Sequence, residues 1–139
     1  MLRHMSTAFV ATETIARPAE TVWRVLTDWG RAPDWMPGVE DAHADGDTLR
    51  FRARGKERTS RISAVEPGRS ITLTSVQGGV RADYRYALTP AGTGTRTTLT
   101  AECEFTGLWR LAAPALRGLI RRTDGGQLAA LKRLIEEGP

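Results

Sequence analysis

The chain has 139 residues, of which 40% are hydrophobic and 26% are charged, as in an ordinary globular protein. Its net charge of +4 comes mainly from arginines spread along the whole sequence, so the charge pattern does not indicate nucleic-acid binding. Every apolar run is shorter than the roughly 20 residues of a membrane span, and the N terminus lacks the apolar segment of a secretory signal.

The cysteine and histidine residues narrow the classes of protein to which this sequence can belong. The single cysteine, Cys103, excludes an internal disulfide and favours a cytoplasmic protein. We expect one domain over residues 1–139, with residues 1–6 as a flexible leader, and leave a monomer and a homodimer open. His4 and His43 do not belong to a cluster with metal-ligand spacing, so we predict no metal site and no cofactor.

The first quarter of the chain predicts a strand followed by two short helices. Residues 7–15 alternate between the two sides of a strand and are rich in β-branched side chains. A helix with one apolar face is predicted to begin at Pro18 and to end at Gly30. One further helical turn is predicted over residues 31–36.

Glycine- and proline-rich turns then divide the sequence at short, regular intervals, which is typical of consecutive hairpins. They separate predicted antiparallel strands at residues 39–44, 49–54, 58–65, 70–76, 80–88 and 95–105. The last stretch, residues 108–137, has apolar residues at helical spacing and a weak point at Gly125–Gly126. We predict that it forms one long helix with an apolar face.

The phase of each predicted strand defines an inner face that is apolar and contains several small residues. This inner face comprises Leu49, Phe51, Ala53, Ile62, Ala64, Ile71, Leu73, Ser75, Ala82, Tyr84, Tyr86, Leu88, Thr97, Leu99, Ala101, Cys103 and Phe105. The same phase turns four arginines outward, namely Arg52, Arg54, Arg81 and Arg85. Small residues on the sheet and on the helix favour a cavity between them, and a closely packed core is the alternative.

Two segments resemble a known family. IARPAETVWRVLTD at residues 15–28, with WMPGV at 35–39, looks like the N-terminal signature of the polyketide cyclase/dehydrase branch of the START-like superfamily. LAALKRLIE at residues 128–136 resembles the closing helix of that family, and the resemblance covers about residues 8–136. It implies an α+β helix-grip fold, in which a seven-stranded curved antiparallel sheet surrounds a long C-terminal helix and two short helices follow the first strand.

The resemblance implies a pocket between the sheet and the last helix. Members of the superfamily bind lipids, sterols, polyketides or plant hormones there, and a few catalyse cyclisation or dehydration of aromatic polyketides. A binding protein for a small hydrophobic ligand is therefore predicted, with a polyketide cyclase/dehydratase of the aromatase type as the alternative. No nucleic-acid partner and no integral membrane association are expected.

The predicted ligand-binding residues combine inner-face positions with the helix stripe and the second short helix. They are Trp35, Met36, Phe51, Ile62, Leu73, Ser75, Tyr84, Tyr86, Leu99, Cys103, Leu111, Ala115, Leu116 and Ile120. Tyr84 and Tyr86 are the catalytic candidates, because a phenol in a pocket can act as a general acid. Cys103 lacks a neighbouring base in the sequence and is interpreted as a buried hydrophobe.

Overall fold

A computed structural model describes residues 5–138 of the protein. One antiparallel sheet contains seven strands in the order β1-β7-β6-β5-β4-β3-β2. The strands are β1 Ser6–Ile15, β2 Val39–Asp45, β3 Thr48–Ala53, β4 Lys56–Glu66, β5 Ser70–Gln77, β6 Val80–Ala91 and β7 Gly94–Phe105. The α-helices are α1 Ala19–Leu26, α2 Ala113–Asp124 and α3 Gln127–Glu137, and short 3₁₀ helices span Trp29–Asp34 and Gly107–Ala112.

The helix-grip arrangement predicted from the sequence is confirmed. From β2 onward each strand pairs with the next along the chain, and β1 pairs with β7. Residues 1–4, which include His4 and most of the predicted leader, lie outside the described residues. Ser6 is already the first residue of β1 and is paired with Cys103.

Strand phase places most of the predicted inner-face residues correctly, and Ala64 is the exception. Ala64 is exposed and has a φ of +48°. It lies where the β4–β5 register shifts between Ser63 and Glu66. A bulge inserts an extra residue and breaks the two-residue alternation, so the inward placement of Ala64 was wrong. His43, whose phase the sequence leaves ambiguous, is exposed and pairs with Arg50 across the β2–β3 ladder.

The predicted C-terminal helix is present but interrupted. Its first turn is the 3₁₀ helix Gly107–Ala112, and Gly125–Gly126 separates α2 from α3. The amide of Gly125 donates to the carbonyl of Arg121 at 2.8 Å. A Cβ on Gly125 would lie 2.5 Å from that oxygen, which is closer than real side chains come. The tight junction therefore requires glycine.

The main core lies at the α3 end of the sheet. Leu128 and Leu131 of α3 are completely buried, together with Ile15, Val22 and Leu99 from β1, α1 and β7. No helix in the described part of the chain is long and apolar enough to cross a membrane.

Candidate ligand-binding pocket

A cavity of about 640 Å³ lies between strands β3–β6 and α2. This volume falls within the range of about 300–1,000 Å³ that is usual for small-molecule sites. The sheet contributes Leu49, Phe51 and Leu73 to an apolar wall, and α2 contributes Leu116 and Ile120. Ala42, Ala53 and Ala82 also line it. These small side chains leave space that larger residues would have filled.

Polar side chains from β6 and the α2–α3 junction form a connected network on the pocket wall. The Tyr84 hydroxyl donates to Oδ2 of Asp124 at 2.5 Å, and the Tyr86 hydroxyl donates to Oε1 of Gln127 at 2.6 Å. The amide Nε2 of Gln127 donates to Oδ1 of Asp124 at 3.4 Å, which joins the two pairs. We call these four residues the polar relay.

Aromatic packing holds both phenols of the polar relay in place. The rings of Phe9 and Tyr84 pack edge to face with their centroids 6.4 Å apart. Those of Trp35 and Tyr86 pack in the same way with their centroids 5.9 Å apart. Tyr84 also lies between Leu73 of β5 and Ala101 of β7 in the ladder. The two hydroxyls are therefore presented by a rigid sheet rather than by a loop.

Burial controls the protonation of the relay. It raises the pKa of the Tyr84 hydroxyl, and the adjacent Asp124 carboxylate raises it further. The pKa of Tyr86 is also raised, first by burial and then by Asp124. Burial raises the pKa of Asp124 above its ordinary value, while hydrogen bonds from Tyr84 and Gln127 and the charge of Arg54 oppose that shift. Both phenols are thus neutral donors at physiological pH.

Two arginines also line the pocket, which corrects the sequence-based expectation for Arg54. Arg54 follows β3 in a turn with Gly55, at φ values of +51° and +78°. Its guanidinium lies against Gly38, where a Cβ would come within 3.2 Å of it. The strand phase does not extend into this turn, so Arg54 lines the pocket even though the residue is exposed. Neither Arg54 nor Arg58 has a salt-bridge partner within residues 5–138.

A second polar contact lies on the sheet side of the pocket. Ser60 and Ser75 occupy facing positions of β4 and β5, and their hydroxyls are 2.6 Å apart. Both line the cavity.

This combination of a helix-grip fold, an apolar cavity and a polar relay can now be compared with known proteins. A family model described as polyketide cyclase / dehydrase and lipid transport matches residues 6–136. The chain belongs to this family. No curated protein matches the sequence.

Solved structures with the same fold include two aromatase/cyclases. The Zhui aromatase/cyclase of a Streptomyces species is 21% identical over 96% of this chain and 95% of its own, with a TM-score of 0.79. A conserved protein from Geobacillus kaustophilus is 16% identical over 92% and 94%, with a TM-score of 0.72. The di-domain aromatase/cyclase StfQ of the steffimycin pathway is 15% identical over 96% of this chain and 50% of its own, with a TM-score of 0.70. At these identities the similarity shows the fold.

The cavity includes many of the residues predicted from the sequence. Those on its wall are Met36, Phe51, Leu73, Ser75, Tyr84, Tyr86, Leu116 and Ile120. Trp35, Leu99 and Cys103 are buried in the core behind the wall, and Ile62 packs against that core. Burial raises the pKa of the Cys103 thiol, which agrees with its interpretation as a hydrophobe.

Leu111 and Ala115 are exposed, which corrects their predicted inward placement. Leu111 belongs to the 3₁₀ helix, whose tighter winding breaks the 3.6-residue spacing assumed for it. Ala115 lies on the outer side of α2, away from the wall formed by Leu116 and Ile120.

Sequence reasoning missed the polar partners of the two tyrosines. Asp124 comes four residues after Ile120, and Gln127 follows three residues later, so both continue the inward-facing helix positions. The sequence signal that could have identified them is the presence of polar residues at positions that continue an apolar helix stripe. Arg58 was missed as well, although it shares the strand phase of Ser60. The described residues contain no group of three or more His, Cys, Asp or Glu side chains that could hold a metal ion.

Proposed function

We propose that this protein binds a small hydrophobic molecule, aromatic, polyketide or lipid, in the cavity between β3–β6 and α2. The observation that carries the proposal is an apolar cavity of about 640 Å³ with the polar relay on its wall. Burial of an apolar ligand supplies about 25 cal/mol per Å² of buried surface, and a few hydrogen bonds then fix its orientation. We also propose that the protein functions as a single domain and that it is located in the cytoplasm.

The two tyrosines contribute differently to this binding. Tyr86 is 1% exposed and its hydroxyl is committed to Gln127, so it supports the wall. Tyr84 is only partly buried and lines the cavity beside Asp124. A ligand hydroxyl could donate to the Asp124 carboxylate or to the Tyr84 oxygen, whose own proton is donated to Asp124. We therefore propose that the ligand carries an oxygen function on an otherwise apolar, ring-containing or acyl body.

A titration of matched probes tests this proposal. Naphthol and naphthalene differ by one hydroxyl, so Tyr84→Phe is expected to weaken naphthol binding by about 0.5–1.5 kcal/mol and to leave naphthalene binding unchanged. Tryptophan fluorescence can follow the titration, because Trp109 lines the cavity. Absence of saturable binding by aromatic and fatty probes alike would contradict a ligand-binding function.

A polyketide cyclase/dehydratase is the second candidate, and the Tyr84–Asp124 hydrogen bond favours it. The ionised Asp124 carboxylate would take a proton from a carbon between two carbonyl groups. The resulting carbanion would attack a second carbonyl carbon, whose oxygen would take the Tyr84 proton as the new C–C bond forms. Asp124 would return its proton to Tyr84 through their hydrogen bond, and loss of water would then complete a dehydration.

Turnover of a poly-β-ketone mimic distinguishes the two candidates. An enzyme of this kind should lose about 10²–10⁴-fold in rate in Asp124→Asn and in Tyr84→Phe, while the mimic still binds. Ser60→Ala serves as a control, because Ser60 lines the same pocket outside the relay. Saturable binding of the mimic without turnover would exclude the enzyme and support only the binding function.

A further inference from the structure

The 3₁₀ helix Gly107–Ala112 and the helix α2 that follows it expose large apolar side chains. Leu108 and Leu111 are each 84% exposed, Leu119 is 51% exposed and Trp109 is 47% exposed. Single exposed hydrophobic residues are ordinary on a protein surface, but a concentration within residues 108–119 indicates a surface that meets something apolar.

The same segment is strongly cationic. Residues 107–122 contain four arginines and no acidic residue, although the whole chain carries 16 acidic residues. Arg110 and Arg117 donate to the Phe105 carbonyl and to the Ser6 hydroxyl, respectively. Arg121 and Arg122 are exposed and have no salt-bridge partner in the described part of the chain. The segment therefore complements a negatively charged surface.

This surface is continuous with one side of the pocket. Trp109 and Leu119 line the cavity and are themselves exposed, which makes this side the pocket mouth. The Trp109 indole lies over the β5–β6 turn, where a Cβ on Gly79 would be 2.3 Å from its Cδ1 atom. The bare Gly79 backbone thus makes room for an aromatic ring at the mouth.

We propose that residues 107–122, the docking segment, bind the surface of an anionic lipid bilayer. Leu108, Trp109 and Leu111 would enter the boundary between headgroups and acyl chains, and Arg121 and Arg122 would contact anionic headgroups. The pocket mouth would then face the bilayer, so an apolar ligand could move between membrane and pocket without crossing water. This last step rests on the proposed ligand-binding function, whereas docking itself does not.

A symmetric dimer through the docking segment is less favourable than a bilayer. A two-fold interface brings the same patch of both copies together, so the arginines of one copy would oppose those of the other. A lipid headgroup layer supplies negative charge and an apolar interior at one surface. An acidic protein partner would supply the charge but needs its own apolar recess for both leucines.

Vesicle co-sedimentation tests the proposal directly. The full chain is expected to bind vesicles of phosphatidylcholine with phosphatidylglycerol and to bind pure phosphatidylcholine weakly. Leu108→Asn/Leu111→Asn should weaken vesicle binding about tenfold or more, because it removes the two leucines that would enter the boundary between headgroups and acyl chains. Arg121→Gln/Arg122→Gln should weaken it about fivefold per arginine and reduce its salt dependence.

Matched controls lie on other surfaces. Val10 and Val65 are 58% and 48% exposed, so Val10→Asn/Val65→Asn removes two exposed aliphatic side chains from another part of the surface. Arg69 and Arg96 are exposed, so Arg69→Gln/Arg96→Gln removes the same charge. Both control variants should bind vesicles like the parent. Equal binding by the docking-segment variants and their controls would overturn the proposal.

The remaining outcomes separate docking from ligand binding. Leu108→Asn/Leu111→Asn should keep its naphthol affinity in solution, which also shows that it is folded. Vesicle binding without any ligand binding would remove the proposed function and leave docking intact. No binding to anionic vesicles would overturn docking. A dimer in light scattering that this variant dissociates would assign the surface to a second copy instead.

Discussion

The two halves of the C-terminal helical region have similar sequence patterns and opposite environments. In α3, Leu128 and Leu131 are completely buried against strands β1 and β7 and helix α1. None of the residues of α2, all of which the structure describes, is buried. Leu116 and Ile120 of α2 face the cavity instead of close-packed side chains. An apolar helix face can therefore serve as a core element or as the wall of a cavity.

The difference follows from what lies opposite each helix. α3 packs directly on the sheet and on the 3₁₀ helix Trp29–Asp34. Trp35, the residue after that helix, packs its ring against Tyr86. α2 contacts β1 along one side, and the small residues Ala53 and Ala82 face the cavity on the other. The polar relay lies where the two environments meet. We infer that α3 anchors the fold and that α2 provides its functional wall.

Truncation of one leucine in each helix should give the largest contrast. Leu131→Ala is expected to lower the free energy of unfolding by about 2–5 kcal/mol, because the fully buried side chain leaves a cavity in the core. Leu116→Ala should cost less than about 1 kcal/mol and mainly weaken naphthol binding. Urea denaturation measures both. Equal losses would show that α2 is part of the core.

The buried end of the polar relay can be broken and then repaired. Tyr86→Phe leaves Oε1 of Gln127 without its donor, which should cost about 1–3 kcal/mol of unfolding free energy. Tyr86→Phe/Gln127→Leu removes both polar groups and should recover part of that loss. Urea denaturation again provides the measurement. A double variant that is less stable than the single one would show that Gln127 acts mainly through Asp124.

The junction between α2 and α3 offers a matched pair of glycines. Gly126 has φ −95° and ψ 4°, and a Cβ there would meet open space among the described residues. Gly126→Ala should stabilise the protein by about 0.4–1 kcal/mol, because it restricts the unfolded chain. Gly125→Ala should destabilise it, since the new Cβ would contact the Arg121 carbonyl. Thermal unfolding of both variants measures whether each one is more or less stable than the parent. A stabilised Gly125→Ala variant would contradict the claim that the junction requires glycine.

The smallest expected effect is the pH dependence of stability, which has opposite signs for the carboxyl groups at the ends of α2 and α3. Burial raises the pKa of Asp124 at the end of α2, so stability should fall as the pH rises above about 3.9, where the unfolded chain has already lost this proton. At the end of α3, hydrogen bonds from Lys132 and the Ala16 amide lower the pKa of Glu136. Stability from Glu136 should therefore disappear as the pH falls through its lowered pKa.

Two substitutions separate these contributions. Asp124→Asn should remove the loss of stability that accompanies rising pH, and Glu136→Gln should remove the loss that accompanies falling pH. Urea denaturation at a series of acidic pH values is the measurement. A parent-like pH profile in Asp124→Asn would show that its carboxyl group is better solvated than the structure indicates.

Local sequence patterns predicted the elements well and their surroundings less well. Alternation and turn glycines located all seven strands, because both signals operate within a few residues. They did not identify the bulge at Ala64 or the place of Arg54 on the pocket lining, since each depends on a backbone conformation that alternation cannot represent. The tyrosines were found by phase, but Asp124 and Gln127 reach them only across the space between sheet and helix.

The amino-acid sequence by itself determined the succession of seven strands along the chain, the family resemblance and an apolar helical stripe near the C terminus, because each is encoded in short-range periodicity and spacing. Tertiary structure decided which part of that stripe is core and which part lines a cavity. The reason is that burial depends on the distance between α2 and the sheet, which is set by packing at α3 and by small residues far apart in the chain.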